Sequence, residues 1–321
     1  MAEPLLSTMD RRIKFRHLRC FIEVARLKSV VKAASVLHVS QPAISKTVQE
    51  LEELLGVALF EPNRRTMLLT GAGEIFLRYA SASVTALKQG MRMVGGDEMS
   101  PEHAFTVGAL PTASARILPA AIAHVTQRYE RLRPRVVTGA NDVLMAQLRL
   151  GDVDLVIGRM AAPETMTGFT FEHLYSERIG LVVRPEHPLL HAGDFAPAAI
   201  AQYQLLMPPP GSVISSTVER YMIAHSIQPR SGVIETVSDS FARGYLRQTD
   251  AIWFISEGVV TEDAARGQLA LLPAHTEDTL GPVGLTTRAD AVLSLSAQIF
   301  ITALREIAAS WRVEARPTLR L

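Results

Sequence analysis

The N-terminal part of the chain carries apolar residues at the three- and four-residue spacing of amphipathic helices. Three short helices are predicted, over residues 17–27, 30–38 and 41–55. Ser29 and Ser40 stand at the N-cap positions of the second and third helices, and Gly56 is placed to end the third. The small pair Ala33 and Ala34 allows two short helices to cross closely, as a helix-turn-helix motif requires.

Two short apolar runs follow, one over residues 57–60 and one over 67–70, on either side of a polar turn. They predict a small β-hairpin, or wing, with an exposed turn as the alternative. Beyond it, residues 74–94 show a helical stripe about twenty residues long, roughly 30 Å at 1.5 Å per residue. The stripe consists of Phe76, Ala80, Val84, Leu87, Met91 and Val94, of which the first five are the predicted dimerisation residues. It predicts either self-association of a long linker helix or packing against the same chain.

In the remaining two thirds of the chain, apolar strand-like runs alternate with helical patterns. Strands are predicted over 105–110, 135–139 and 154–158, and helices over 115–129 and 142–150. This alternation is typical of an α/β fold with a parallel sheet.

Length and composition agree with two domains in a globular protein: 321 residues, 48% apolar and 20% charged. No run of 18 apolar residues predicts a membrane span, and the N-terminus shows no apolar signal-peptide core, so we expect the cytoplasm. Charge is uneven, because residues 1–100 hold 14 Lys and Arg against 10 Asp and Glu. A basic N-terminal module indicates nucleic acid as a partner, although an excess of this size also arises by chance.

The outer face of the third helix carries short polar side chains that suit base and phosphate contacts. Glutamine can pair with adenine, serine can bond a base or a phosphate, and lysine can reach guanine or a phosphate oxygen. The alternative is an ordinary solvated helix face. Arg64 and Arg65 at the wing tip are placed to touch the DNA backbone or enter a minor groove. The predicted DNA-binding residues are Ser40, Gln41, Pro42, Ser45, Lys46, Gln49, Arg64 and Arg65.

These segments resemble the N-terminal domain of LysR-type transcriptional regulators. The resemblance lies in residues 33–34, 37–46, 51–52, 55–60 and 69–73, and a run over 151–158 resembles the third-strand signature of the LysR effector domain. Lys46 stands where many members have arginine, so bidentate guanine reading there is in doubt while a phosphate contact is not. Residues 10–18 and 76–78 are similar to activators of protocatechuate catabolism, which implies an aromatic acid or ring-cleavage dicarboxylate as effector.

The resemblance implies a winged helix-turn-helix domain over 1–72, a linker helix for dimerisation over 73–98, and an α/β effector domain of periplasmic-binding-protein type II. Its first subdomain would comprise 104–178 and 283–313, and its second 179–282. It further implies a homodimer or tetramer on double-stranded DNA, an anionic effector, and RNA polymerase as a partner. It implies no cofactor.

Ligands of such open sheets lie outside the carboxyl ends of strands, where helix N-termini point. Hydroxyl and amide groups follow several predicted strands, and an arginine that could pair with a carboxylate follows the third. Helix caps and a surface arginine are the alternative interpretation. The predicted effector-binding residues are Thr112, Ala113, Ser114, Asn141, Arg159, Ser212, Val213 and Ser238.

Two other classes of protein compete with a regulator. A solute-binding protein could use the same α/β body, but the DNA-binding module argues against it. An enzyme would need a convergent nucleophile, base or metal set, and neither a G-x-S-x-G, a P-loop nor a His-Glu-x-x-His motif is present. His187 and His191 are four residues apart, but Pro188 disfavours a helix there, so we expect no metal site. The single cysteine, Cys20, lies among apolar helix residues and is predicted to be a core thiol.

Overall fold

The computed structural model describes residues 13–62, 66–94, 104–192, 195–230, 232–289 and 291–314. These residues form two compact units. The first contains the described residues up to 94 together with 149–152 and 291–292, and the second contains the other described residues.

Within the described residues, the N-terminal unit contains four helices. They are α1 (Phe15–Leu27), α2 (Val30–Leu37), α3 (Gln41–Leu55) and α4 (Gly71–Val94). Between α3 and α4, Phe60 and Leu69 form an antiparallel bridge, and the amide of Glu61 donates to the carbonyl of Leu68 over 2.8 Å. The helix-turn-helix is therefore followed by a short paired hairpin base, whose tip at 63–65 lies outside the described residues.

Local caps explain where the N-terminal helices begin and end. Ser29 Oγ accepts a hydrogen bond from the amide of Lys32 at 3.3 Å, and Ser40 Oγ accepts one from the amide of Ala43 at 3.4 Å. Gly56 ends α3 with a φ of +67°, a conformation that favours glycine. Ala33 is completely buried, which permits the close helix crossing predicted from its size. The three aromatic rings of Phe21, Phe60 and Phe76 meet in this core.

The second unit contains two five-stranded sheets. The strands are β1 (Ala104–Ala109), β2 (Arg133–Thr138), β3 (Leu155–Arg159), β4 (Phe169–Glu177), β5 (Ile179–Val183), β6 (Leu205–Met207), β7 (Val233–Glu235), β8 (Ile252–Ser256), β9 (Ala270–Leu271) and β10 (Gly281–Arg288). The first sheet has the order β2-β1-β3-β10-β4, and the second has the order β7-β6-β8-β5-β9. The chain passes from the first sheet to the second at Arg178 and returns before Gly281. The predicted α/β architecture with two subdomains is confirmed.

Helices cover both sheets of this unit. They are α5 (Pro111–Ala115), α6 (Ile117–Arg128), α7 (Asn141–Leu150), α8 (Ser215–Ala224), α9 (Asp239–Leu246), α10 (Thr261–Ala265) and α11 (Leu295–Glu314). The single helix predicted over 115–129 is wrong in detail. The helical segment begins at Pro111 and breaks at Arg116, whose φ of −117° and ψ of −76° interrupt the helix. This break directs the Arg116 side chain toward the chain crossing at Glu177, with which it forms an ion pair.

Each sheet has its own apolar core. In the first, Phe105 stacks on Phe300 of α11 with ring centroids 4.7 Å apart. In the second, Tyr221 of α8 packs on Phe254 of β8. His187 is buried beside this second core, where Nδ1 accepts from the amide of Leu189 and Nε2 lies 3.1 Å from the carbonyl oxygen of Asp250. None of the helices in the described ranges is both long and apolar enough to cross a membrane.

Candidate DNA-binding and effector sites

Helix α3 presents the predicted recognition residues to solvent. Its inner face, formed by Ile44, Val48 and Leu51, is buried in the N-terminal core. The opposite face begins at the Ser40 cap and is entirely exposed. The structure brings together on it Ser40, Gln41, Pro42, Ser45, Lys46 and Gln49. A polar, exposed helix N-terminus of this kind is what a major-groove reader requires.

The charge of Lys46 is free to meet a phosphate. Its side chain is 78% exposed, and its Nζ lies 4.0 Å from Oε1 of Glu50, one turn further along α3. Glu50 also faces Arg16 Nη2 at 3.7 Å and His17 Nε2 at 3.5 Å. Because exposed ion pairs contribute little free energy, the Lys46 pair does not oppose a contact to DNA.

Glu52 holds the recognition helix to the wing, a role that the sequence did not reveal. Its Oε1 accepts hydrogen bonds from the amides of Leu59 at 2.7 Å and Phe60 at 3.1 Å. Carboxylates that accept backbone N–H groups make strong, directional contacts. Glu52 thus fixes the hairpin base relative to α3. The predicted wing-tip residues Arg64 and Arg65 lie outside the described residues.

The stripe on α4 divides into two parts, and the prediction is corrected for one of them. Phe76 and Ala80 pack into the core of the N-terminal unit, Phe76 against Phe21 at 5.3 Å, so they are not available to a second chain. Val84 is buried as well. Leu87 and Met91 are 49% and 66% exposed. Two further apolar residues that the stripe did not include are also exposed: Ile75 and Tyr79, at 55% and 63%.

The effector unit contains a cavity of about 580 Å³ at the carboxyl ends of its parallel strands. Residues that follow β1, β2, β6 and β7 line it, together with the end of β3 and the middle of β8. This is the position at which open α/β sheets bind ligands. The predicted residues that the structure places on its wall are Thr112, Ser114, Asn141, Arg159, Ser212 and Val213.

Two predicted effector residues do not line the cavity. Ala113 is fully buried in the core of the first sheet, because it lies on the inner side of α5. Ser238 caps α9, and its Oγ accepts from the amide of Phe241 at 3.2 Å and contacts Ser240 Oγ at 3.1 Å. In the structure, Ala113 is therefore a core residue and Ser238 is a helix cap.

The cavity wall carries groups that can donate to an anion, and it also includes the acidic residues Asp142 and Asp239. Helix α7 begins at Asn141 on the wall, and residues 212–214 lead into α8, so the positive ends of two helices of ten residues each face it. Ser212 Oγ is buried and has no hydrogen-bond partner in the described part of the chain. Ser114 Oγ, by contrast, donates to the carbonyl of Pro111 at 2.9 Å. The Ser212 side chain therefore brings an unpaired buried hydroxyl to the cavity wall, whereas the Ser114 hydroxyl is already paired.

Arg159 borders the cavity but is already engaged by the protein. Only 8% of the residue is exposed. Its Nη1 donates to the carbonyl of Glu177 at 3.4 Å, and its Nη2 donates to the carbonyl of Thr279. Burial lowers the pKa of Arg159, and the nearby Glu177 opposes this effect. These carbonyls belong to the outgoing and returning crossings between the sheets, so one guanidinium joins both.

Several apolar residues of the wall were not predicted. They include Pro208, Pro209, Pro210, Trp253 and Ile255. The run of three prolines before Gly211 was the available signal, because prolines stiffen a segment and remove its N–H donors. The β8 residues gave no such signal, since inward and outward faces of a buried strand look alike in sequence.

A winged helix-turn-helix domain joined to a two-sheet effector domain defines a ligand-responsive DNA-binding protein. Two family models match the chain: "Bacterial regulatory helix-turn-helix protein, lysR family" over residues 15–74 and "LysR substrate binding domain" over residues 100–309. The chain therefore belongs to the LysR family of transcriptional regulators. The resemblance stated from the sequence is confirmed, and the family is one of regulators rather than enzymes.

Relatives and solved structures cover almost the whole chain. The HTH-type transcriptional regulator PcaQ of Agrobacterium fabrum is 51% identical over 300 residues, 94% of this chain and 96% of that protein. The uncharacterised regulator YdcI of Escherichia coli is 36% identical over 94% of this chain and 97% of its own length. A full-length OxyR variant of Pseudomonas aeruginosa has the same fold, with a TM-score of 0.61 at 21% identity over 92% of this chain and 96% of that one. CbnR, described as a LysR family transcriptional regulator, gives a TM-score of 0.56 at 21% identity, over 92% and 99% of the two chains.

Proposed function

We propose that this regulator responds to an aromatic acid or a ring-cleavage dicarboxylate bound in the effector cavity, and that it activates transcription when the ligand is bound. The observation that carries the proposal is the composition of the cavity wall. The wall combines proline and Trp253 surfaces with helix N-termini and the unpartnered hydroxyl of Ser212. A planar, largely apolar anion suits a wall that has both kinds of group. The similarity to PcaQ supports the same class of effector.

The volume of the cavity agrees with a small ligand. A cavity of about 580 Å³ is within the usual range of small-molecule pockets, roughly 300–1,000 Å³. Thr112, Ser114 and Asn141 add hydrogen-bonding groups around the helix N-termini. Arg159 supplies a fixed positive charge at one side while its donors remain on backbone carbonyls. The carboxylate is thus expected near α7 and α8, and the ring near Trp253.

A thermal-shift series tests the effector proposal. The probes are protocatechuate, other aromatic acids and their ring-cleavage dicarboxylates, each added to the full-length protein. A ligand at about a hundred times its dissociation constant adds roughly 2.7 kcal/mol to the free energy of unfolding. That corresponds to a rise of about 5–10 °C in the midpoint for a domain of this size.

Ser212→Ala is the matched variant for this series. Loss of a hydrogen bond to a charged carboxylate weakens binding by about 1.5–3 kcal/mol, so at the same ligand concentration the shift with the active probe should fall by about half or more. Ser216→Ala, at an exposed position on α8, should leave the shift unchanged. If none of these acids shifts the wild-type midpoint, the proposed effector class is wrong and the search moves to amino acids and other metabolites.

For the DNA-binding domain, we propose that two copies of α3 read an interrupted inverted repeat in adjacent major grooves. The exposed residues Ile75, Tyr79, Leu87 and Met91 on α4 support pairing with a second chain, as a dimer or a dimer of dimers. As a DNA-binding activator, the protein would act in the cytoplasm and contact RNA polymerase from its bound position.

Gln41→Ala is expected to reduce discrimination at one operator position by about 1–3 kcal/mol, because Gln41 is exposed at the N-terminal end of the recognition helix. Lys46→Ala should instead weaken binding to all sequences and lower the salt slope by about one. Glu53→Gln, exposed further along α3, serves as the control. Fluorescence anisotropy with a set of single-base operator variants measures the affinity and specificity of the three variants. If Gln41→Ala keeps the wild-type specificity, Gln41 does not read a base and the proposed recognition face is wrong.

A further inference from the structure

A carboxyl group is buried where the chain crosses from the first sheet of the effector unit to the second. Glu177 is the last residue of β4, and its side chain is only 2% exposed. Its Oε1 accepts a hydrogen bond from Arg116 Nη1 at 3.1 Å. Its Oε2 is buried and has no hydrogen-bond partner in the described ranges. An ionised carboxylate with one unsatisfied oxygen is costly in such a place.

The carboxyl group contacts both halves of the effector domain. Arg116 lies at the break between α5 and α6, which pack on the first sheet. On the other side is Gly258, in the 3-10 helix Glu257–Val259 that follows β8 of the second sheet. A Cβ on Gly258 would overlap Glu177 Oε1, so the carboxyl rests directly on the main chain of the second half. Any separation of the halves at this point would expose Oε2 to water.

Charged groups from three neighbouring segments act on Glu177: Arg116 between α5 and α6, Arg159 of β3, and Glu257 after β8. Arg116 and Arg159 favour the ionised form, and Glu257 disfavours it. Glu257 itself faces Arg178 Nε at 3.7 Å, and Arg178 Nη1 contacts Glu277 Oε1 at 2.8 Å.

Tyr175, on the same strand, contributes a second buried oxygen without a partner among the described residues. Burial raises its pKa, so its hydroxyl stays neutral. Of these two buried groups, therefore, only Glu177 changes charge near neutral pH.

We propose that Glu177 is a positioning residue of the effector response, whose protonation state sets how tightly the two halves of the effector domain pack beside the cavity. The protonated carboxyl tolerates burial against Gly258 and favours the packed arrangement. The ionised carboxyl favours separation of the halves, because water then reaches Oε2. The coupling to an effector rests on the proposed function, whereas the proton-dependent packing itself does not.

Two observations support this assignment. Burial raises the pKa of Glu177 to about 7, against the lowering effect of Arg116, so the group changes charge within the range of cellular pH. In addition, α5 carries Thr112 and Ser114 on the cavity wall and ends immediately before Arg116. An anion in the cavity disfavours a second negative charge nearby. Its binding should therefore take up a proton at Glu177 and tighten as the pH falls.

The chain offers a built-in spectroscopic test, since it contains only two tryptophans. Trp311 lies 4.4 Å from the guanidinium carbon of Arg116, and its ring contacts that of Tyr175 at 5.3 Å. In full-length Trp253→Phe, Trp311 is the sole reporter of this cluster. We expect its emission to change between pH 6 and 8 with a midpoint near 7, and to show no such transition when Glu177→Gln is added.

Glu172→Gln is the matched control, because Glu172 is an exposed carboxylate on the same strand, paired with Arg305. This variant should retain the transition. A transition that persists in Glu177→Gln, or a flat profile in Trp253→Phe alone, overturns the proposal.

Hydrogen exchange then tests the packing directly. The 3-10 helix Glu257–Val259 rests on the Glu177 carboxyl through the main chain of Gly258, so amide protection in residues 257–260 reports contact between the halves. After correction for the intrinsic effect of pH, this protection should fall as the pH rises through 7 in the wild type and stay constant in Glu177→Gln. Equal behaviour of the two proteins would show that the carboxyl does not control packing. Neither measurement needs the effector, so failure of the proposed effector class would not mimic failure here.

Discussion

Gly73→Ala is expected to destabilise the N-terminal unit and abolish high-affinity operator binding. Gly73 lies in the first turn of α4, and a Cβ at this position would overlap the carbonyl oxygen of Leu59 at the hairpin base. The obstacle is main chain, so it cannot move aside as a flexible side chain would. Overpacking of this kind costs roughly 1–3 kcal/mol, and a displaced backbone costs more. The same movement would pull Leu59 from the Glu52 carboxylate that holds the wing to α3.

Gly71→Ala provides the control for this prediction. It lies two residues earlier on α4, and a Cβ there meets nothing within 4 Å. Calorimetry and anisotropy on the same operator should show wild-type stability and affinity for Gly71→Ala, with both reduced in Gly73→Ala. The thermal transition of the effector unit should stay in place in both variants. If the two variants bind the operator with equal affinity, operator binding does not depend on the close contact between Gly73 of α4 and Leu59 of the hairpin base.

Arg159→Met is expected to lower the stability of the effector domain even without any ligand. The substitution keeps much of the side-chain volume and leaves the carbonyls of Glu177 and Thr279 without their donor. Each buried acceptor left unsatisfied costs about 1–3 kcal/mol, so the total loss is roughly 2–5 kcal/mol. The midpoint should fall by about 5–15 °C for a domain of this size. Gly281 leaves room for the Arg159 side chain, because a side chain at residue 281 would overlap the Arg159 guanidinium.

Arg305→Met is the matched change at the surface of the same domain. Arg305 makes two contacts of 2.7 Å with Glu172, but its side chain is 56% exposed, so its loss should cost at most about 1 kcal/mol. Thermal denaturation of the ligand-free proteins distinguishes the roles of the two arginines. If Arg159→Met leaves the ligand-free midpoint unchanged and only removes a ligand-induced shift, Arg159 is a direct ligand contact and not a link between the crossings.

Much of the N-terminal domain could be predicted from sequence because its signals are local. Capping serines, small residues at a helix crossing and a terminal glycine act within a few residues of one another, and they set the limits of α2 and α3. The exposed face of α3 follows from the same periodicity, since burial of Ile44, Val48 and Leu51 leaves the opposite side to solvent. The role of Glu52 was not predicted, because its hydrogen bonds from the amides of Leu59 and Phe60 form only when the hairpin packs against α3.

The effector site was predicted in outline from the rule that ligands lie beyond the carboxyl ends of strands. That rule selected loops that line the cavity, but it could not separate a residue that caps a helix from one that faces the cavity. Ser212 and Ser238 have the same chemistry near a helix start, and only Ser212 lines the cavity. The α4 stripe illustrates the same limitation of sequence patterns. Periodicity does not distinguish an apolar face that packs against its own chain from one that is free to bind a second chain. Phe76 meets Phe21, whereas Met91 stays exposed.

The sequence by itself determined the family, the two-domain organisation and the recognition helix, because caps, periodicity and motif spacing are properties of neighbouring residues. Only the tertiary structure decided what Arg159 and Glu177 do. Their partners lie far away along the chain: Arg159 bonds to Thr279, and Glu177 pairs with Arg116 against Gly258. From sequence alone, a charged side chain is interpreted as a surface group or a ligand contact, because the sequence does not show that folding buries it. Main-chain carbonyls stabilise the buried charge of Arg159, and Arg116 stabilises that of Glu177. No local sequence pattern predicts these partners.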